Sequence, residues 1–250
     1  MRSSWIAQAL TIAAAASLTA CVNCSNGTCN RYAPTPDERG VQIIGDSYFD
    51  YMGYIPEELA EKSGKVYEDR SRSGATLAQI TGYYETALAE DEADSTYEIR
   101  TLLLDGGGND MRKVCKTADQ GPGFDGTFAG LSEACKAASS SAIAGAKALI
   151  DRTRDDEIDD VVWLGPHYFA ADFVPQVIVD TFADAVQQHC QTKRDGDDRN
   201  NCHFVETRGA WTPAGADAHL LGDRAHVNEQ GGQIIADLLW QVMVADDVYR

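Results

Sequence analysis

The alternation of short apolar runs with helical patterns constrains this chain more than any other feature. Runs suited to strands buried on both faces fall at residues 41–45 (VQIIG), 98–105 (EIRTLLLD) and 161–165 (VVWLG). Two weaker runs lie at 65–70 (KVYEDR) and 202–207 (CHFVET). Between them, Leu77, Ile80, Tyr84 and Leu88 share one helical face. So do Ile178, Phe182, Ala185 and Val186, and Ile234, Ile235, Leu238, Leu239, Val242 and Met243. Residues 131–151, rich in alanine, form a further helix with Ile143, Leu149 and Ile150 as apolar positions. This alternation predicts a mainly parallel five-stranded sheet in a three-layer α/β/α sandwich. Ligands of such sheets bind in the crevice beyond the carboxyl ends of the strands.

Polar clusters stand at those ends. The first strand stops at Gly45-Asp46-Ser47, and the weak second is followed by RSRSGAT, which contains Gly74. The middle strand runs into DGGGND, residues 105–110, and GDRAHVNEQGG places Asp223 three residues before His226, ahead of the last helix. A serine hydroxyl is a weak nucleophile and needs a base within hydrogen-bond reach. His226 can be that base, and Asp223 can hold the imidazole in the tautomer that presents a bare nitrogen to Ser47. A developing oxyanion needs donors aimed at it, which the Ser47 amide, Gly74 and Asn109 can supply. The start of a helix at Ser47 would favour the same charge.

With these residues in this order, the chain resembles the SGNH hydrolases, the GDS-type esterase and lipase superfamily. The matching blocks are Gly45-Asp46-Ser47, Gly74, Gly107-Gly108-Asn109-Asp110 and Asp223-x-x-His226. The resemblance implies a flavodoxin-like fold over residues 41–250 and a cofactor-free serine esterase. Ser47 is then nucleophile, Asp223 and His226 complete the triad, and Ser47, Gly74 and Asn109 form the oxyanion hole. Tyr48 departs from the leucine common after the serine, and Phe49 and Tyr51 beside it are candidates for an aromatic wall. The Gly-x-Ser-x-Gly elbow of α/β-hydrolases is absent, because Phe49 stands at its second glycine. Short-acyl esters, including acetylated polysaccharides, are the expected substrates, with lysophospholipid also in range. The alternative is an inactive protein of this fold that binds glycans.

Other residues invite rival readings. His219, Asp223 and His226 have a spacing that three metal ligands could share, but the glycine in HLLGDRAH argues for a loop, and no metal is expected. Asp195, Asp197 and Glu206 fall at calcium-loop offsets, yet Arg199 occupies a ligand position and the turn glycine is missing. His167, after a strand, is a packed loop residue or a substrate contact. The glycine-rich segment 115–135, next to Asn109, is a candidate wall of the pocket.

The N-terminus and the charge set the setting. Residues 1–20 have Arg2, a short apolar stretch and small residues before Cys21, the pattern of a secretory leader. Leu18-Thr19-Ala20-Cys21 resembles the lipobox of bacterial lipoproteins. That implies an acylated Cys21, a membrane anchor facing the periplasm or exterior, and a tether over 21–40. Seven cysteines are an odd number for an exported protein. Setting Cys21 aside leaves Cys24, Cys29, Cys115, Cys135, Cys190 and Cys202, which allow many pairings. Proximity favours Cys24–Cys29, Cys115–Cys135 and Cys190–Cys202. A net charge of −18, from 39 acids against 21 bases, repels phosphate backbones and argues against a nucleic-acid partner.

Overall fold

The computed structural model describes residues 23–25, 28–30, 38–94, 97–170, 173–192 and 201–248. Cys21, the leader, and Asp195 and Asp197 lie outside the described residues. No described helix is long and apolar enough to cross a membrane. In chain order the strands are β1 (Asn23–Ser25), β2 (Thr28–Asn30), β3 (Glu38–Ile44), β4 (Tyr67–Asp69), β5 (Thr101–Leu104), β6 (Asp160–Leu164) and β7 (Cys202–Val205). The helices are α1 (Ser47–Asp50), α2 (Tyr54–Ser63), α3 (Leu77–Ala93), α4 (Gly108–Arg112), α5 (Glu133–Asp155), α6 (Gln176–Gln191) and α7 (Glu229–Ala245).

Strands β3 to β7 form one sheet in the order β4-β3-β5-β6-β7, with every pairing parallel. The five expected strands are all present. Period-two alternation divides them between two cores. Ile44, Leu102, Leu104, Val161 and Trp163 pack with Ile80, Tyr84, Leu149, Ile178 and Phe182 of α3, α5 and α6. Val41, Ile43, Leu103, Val162 and Leu164 pack on the other face with Ile55, Leu59, Ile235, Leu239 and Met243 of α2 and α7. The sheet is therefore covered on both sides, as a parallel sheet must be. Helix α2 was not legible as a periodic pattern. Its apolar residues, Ile55 and Leu59, are few, and Gly53 and Gly64 bound it in left-handed conformations.

The strand order reverses between β3 and β5, the switch point at which sheets of this topology open a crevice. Gly45-Asp46-Ser47 leaves β3 there and Asp105 to Asn109 leaves β5 there. Two disulfides, Cys115–Cys135 and Cys190–Cys202, join the expected partners. Cys24 and Cys29 stand opposite each other in the β1–β2 ladder, and their side chains lie outside the described residues.

Candidate active site

Ser47 is the first residue of α1 and is 9% exposed. The turn that carries it is set by two buried acids. Asp46 caps α1, accepting from the Tyr48 amide at 3.1 Å, and its own amide donates to Asp105 Oδ1 at 2.5 Å. Gly45 has no alternative there, since a Cβ would lie 1.8 Å from Asp105 Oδ1. Burial, and next the neighbouring Asp46 charge, push the Asp105 carboxyl well above the usual carboxylate range. Burial also raises Asp46, although the Tyr48 amide, His226 and Asn109 favour its charged form. The sequence places Asp105 in the DGGGND cluster but assigns it no role. The signal was an acid ending an otherwise apolar strand.

Asn109, in α4, lies across the switch point. Its side-chain amide donates to Asp46 Oδ2 at 3.0 Å and to the Ala75 carbonyl at 3.1 Å. Both amide hydrogens are thus engaged, tying the turn that carries Ser47 to the loop after β4. That loop is fixed from below by the Arg72 amide on the Gly45 carbonyl at 3.0 Å and the Ser73 amide on Asp50 Oδ2 at 2.7 Å. Gly74 sits in it with φ +84°, a conformation that suits glycine. It is one residue from the Ala75 carbonyl that Asn109 holds, but it does not line the pocket. Because α1 is four residues long, any oxyanion stabilisation from Ser47 comes from its own amide rather than from an extended helix dipole.

His226 precedes α7 in a loop. Asp223 Oδ2 is 2.5 Å from His226 Nδ1, and Asp223 Oδ1 accepts the amides of Ala225 and His226, both at 3.0 Å. An ionised carboxylate only accepts, so Nδ1 carries the proton and Nε2 is bare. Partial burial works to raise the Asp223 pKa, but the hydrogen bonds from His226 and Ala225 outweigh it and hold the group below its usual value. The Tyr51 ring stacks on the imidazole, 4.1 Å between centroids at 15°. Of the expected aromatic wall, Tyr51 therefore braces the histidine, whereas Phe49 is wholly buried in the core.

Ser47, Asn109 and His226 line one pocket of about 710 Å³, part of it open to solvent. Its remaining walls are mostly apolar: Met111, Leu164, Phe169, Phe173, Ile178 and Phe182. No residue of 115–135 contributes, so the disulfide-closed segment is not the pocket wall; the loop before α6 and α6 itself take that place. Among the described residues no hydrogen bond joins Ser47 to His226, and such bonds commonly tighten only around substrate. Among the described residues no three His, Cys, Asp or Glu side chains are grouped to hold a metal ion. His219 stacks instead on Trp211, at 5.1 Å and 19°. Glu206 pairs with Arg208. His167 is 1% exposed and lies outside the pocket lining, which removes it as a substrate contact.

No family model matches the chain, and no curated protein does. Solved structures do. An acetyl xylan esterase from Geobacillus stearothermophilus is 17% identical, with a TM-score of 0.54 over 83% of this chain and 95% of that one. A GDSL-like lipase from Bacteroides thetaiotaomicron is 15% identical, with a TM-score of 0.56 over 83% and 88%. The lipase/acylhydrolase from Enterococcus faecalis is 11% identical, with a TM-score of 0.55 over 83% and 96%. At these identities the likeness is one of fold: the chain has the architecture of the GDSL and SGNH hydrolase structures it matches.

Proposed function

We propose that this chain is a serine esterase that hydrolyses short-acyl carboxylic esters through Ser47, His226 and Asp223. The observation that carries the reading is the meeting of Ser47 and His226 in one pocket, with Asp223 2.5 Å behind the imidazole. In this mechanism Ser47 Oγ attacks the ester carbonyl while His226 Nε2 takes its proton. Asp223 stabilises the imidazolium that forms. The oxyanion rests on the Ser47 amide; the Asn109 amide joins it by exchanging its bond to Asp46 Oδ2 or the Ala75 carbonyl for one to the oxyanion, and the Gly74 amide joins it by a shift of its loop toward the pocket. Collapse of the tetrahedral intermediate expels the alcohol, which receives the proton from His226. Water then attacks the acyl-enzyme by the same route, releasing the acid and restoring Ser47. The residues need no cofactor for these steps.

The apolar walls beside Ser47 support a short acyl group with an aliphatic tail, such as propionyl or butyryl, over a polar one. Carbohydrate esters remain within the reading, since the acetyl xylan esterase shares the fold. We place the enzyme on a bacterial membrane through an acylated Cys21. Hydrolysis of p-nitrophenyl acetate and butyrate by the purified chain and by Ser47→Ala tests the proposal. A rate well above that of Ser47→Ala is expected. Equal, near-background rates would favour the inactive, glycan-binding alternative.

A further inference from the structure

The serine-hydrolase reading leaves two features without a role: the tyrosine that replaces the leucine common after the nucleophile, and a buried histidine outside the pocket. They touch. The Tyr48 ring stacks on the His167 ring, 4.6 Å between centroids at 27°. His167 Nε2 lies 3.0 Å from the Ala225 carbonyl. A carbonyl can only accept, so Nε2 carries the proton and donates it. Ala225 immediately precedes His226, and its amide already binds Asp223.

We propose that Tyr48 and His167 form a strut that sets the spacing between the nucleophile and its base, His167 being a positioning residue that acts through the Ala225 carbonyl. One end of the strut is the residue after Ser47; the other is the residue before His226. Its middle is held independently of both. The Gly165 carbonyl accepts from Thr207 Oγ1 at 2.8 Å, and the Tyr168 carbonyl accepts from Trp211 Nε1 at 2.8 Å. Trp211 and Phe169 also flank the imidazole, with centroids 5.1 and 5.3 Å away. The imidazole is therefore a fixed donor in the loop that follows β6, and Ser47 and His226, from opposite ends of the domain sequence, are registered against it. The loop hydrogen bond from the Ala170 amide to the Arg224 carbonyl, at 3.4 Å, is longer, which leaves His167 as the tighter link between the two loops. A misplacement of a catalytic group by about an ångström can cost on the order of 10²-fold in rate.

The inference rests on the proposed esterase, and its test separates the two. His167→Phe keeps an aromatic ring between Tyr48 and Trp211 but removes the donor; His167→Gln returns an N–H. With p-nitrophenyl butyrate, His167→Phe is expected to lower kcat roughly 10–100-fold and to leave KM within about twofold. His167→Gln is expected to recover most of the loss. In the double variant Tyr48→Leu/His167→Phe the combined loss should be smaller than the product of the single losses, because both act on one linkage. A His167→Phe kcat equal to wild type overturns the proposal. So does a loss that His167→Gln leaves unrepaired while the folded fraction, followed by thermal unfolding, stays constant. If His167→Phe fails to fold, His167→Gln and Tyr48→Leu carry the same comparison. Should wild type prove no faster than Ser47→Ala on any ester, the esterase reading falls. Crystal structures of His167→Phe and His167→Gln then decide the strut: a displaced Ala225 carbonyl in His167→Phe, with the contact kept in His167→Gln, supports it, and an unmoved carbonyl in His167→Phe overturns it.

Discussion

Replacing Asp223 by asparagine probes the tautomer on which the proposed base depends. Asp223 Oδ1 accepts two backbone amides at 3.0 Å, and Oδ2 faces His226 Nδ1 at 2.5 Å. Asparagine has one oxygen. Keeping it on the two amides preserves two hydrogen bonds of about 1 kcal/mol each, so the NH₂ group takes the place of Oδ2. That group can only donate, and it turns the imidazole to the tautomer in which Nδ1 accepts and Nε2 carries the proton. A protonated Nε2 cannot take the Ser47 proton. The expected fall in kcat is roughly 10³–10⁴-fold, or about 4–5 kcal/mol of barrier. The Asp223 side chain is 39% exposed, so the fold should survive the change. Steady-state kinetics on p-nitrophenyl butyrate, with thermal unfolding as the control for folding, provides the assay. A folded Asp223→Asn variant that keeps more than about a tenth of wild-type kcat refutes the assignment of Asp223 as the orienting acid.

Three further outcomes follow from particular contacts. Two methylenes bury about 1.6 kcal/mol of transfer free energy at most, so butyrate should exceed acetate in kcat/KM by roughly 3–10-fold, and Phe173→Ala should shrink that ratio; a wild-type preference for acetate would remove the apolar pocket from the acyl side. Gly107 has φ +94° and a Cβ there would lie 2.6 Å from the Phe182 ring, so Gly107→Ala should cost about 1–3 kcal/mol in urea unfolding, and a neutral result would contradict the close approach of α6. Burial, and next the nearby His226, lower the His167 pKa from 6.5 to about 4, against a hydrogen bond to Ala225 that favours the charged form. The unfolded chain then binds the proton first as pH falls, so stability present above pH 6.5 is lost on the way down to about pH 4, by up to about 3 kcal/mol. His167→Phe should lack that part of the slope in urea titrations across this range, and an unchanged slope would refute a buried neutral imidazole.

The sheet and the triad candidates were legible because each leaves a local trace. Fully buried strands such as 41–45 and 161–165 are continuous apolar runs, and the polar clusters that end them are conspicuous against that background. What stayed hidden depends on packing across the sequence. Phe173 and Phe182 become pocket walls only once α6 folds over the β5 end. Before that, an apolar helix face reads as core, and the glycine-rich neighbour 115–135 seemed the nearer wall. Tyr48 was visible as a departure and His167 as a loop histidine, but nothing in the sequence says that their rings meet. Likewise Asp105 looked like the end of a strand. Its role under Ser47 follows from the parallel register of β3 and β5, which sets Ile44 beside Leu104.

Covalent labelling tests the central claim most directly. The purified chain is treated with a fluorophosphonate, and the modified peptide is located by mass spectrometry. The account predicts a single phosphonylated residue, Ser47, with labelling abolished in Ser47→Ala and strongly slowed in His226→Ala. Modification that spares Ser47, or proceeds as fast without His226, would contradict it.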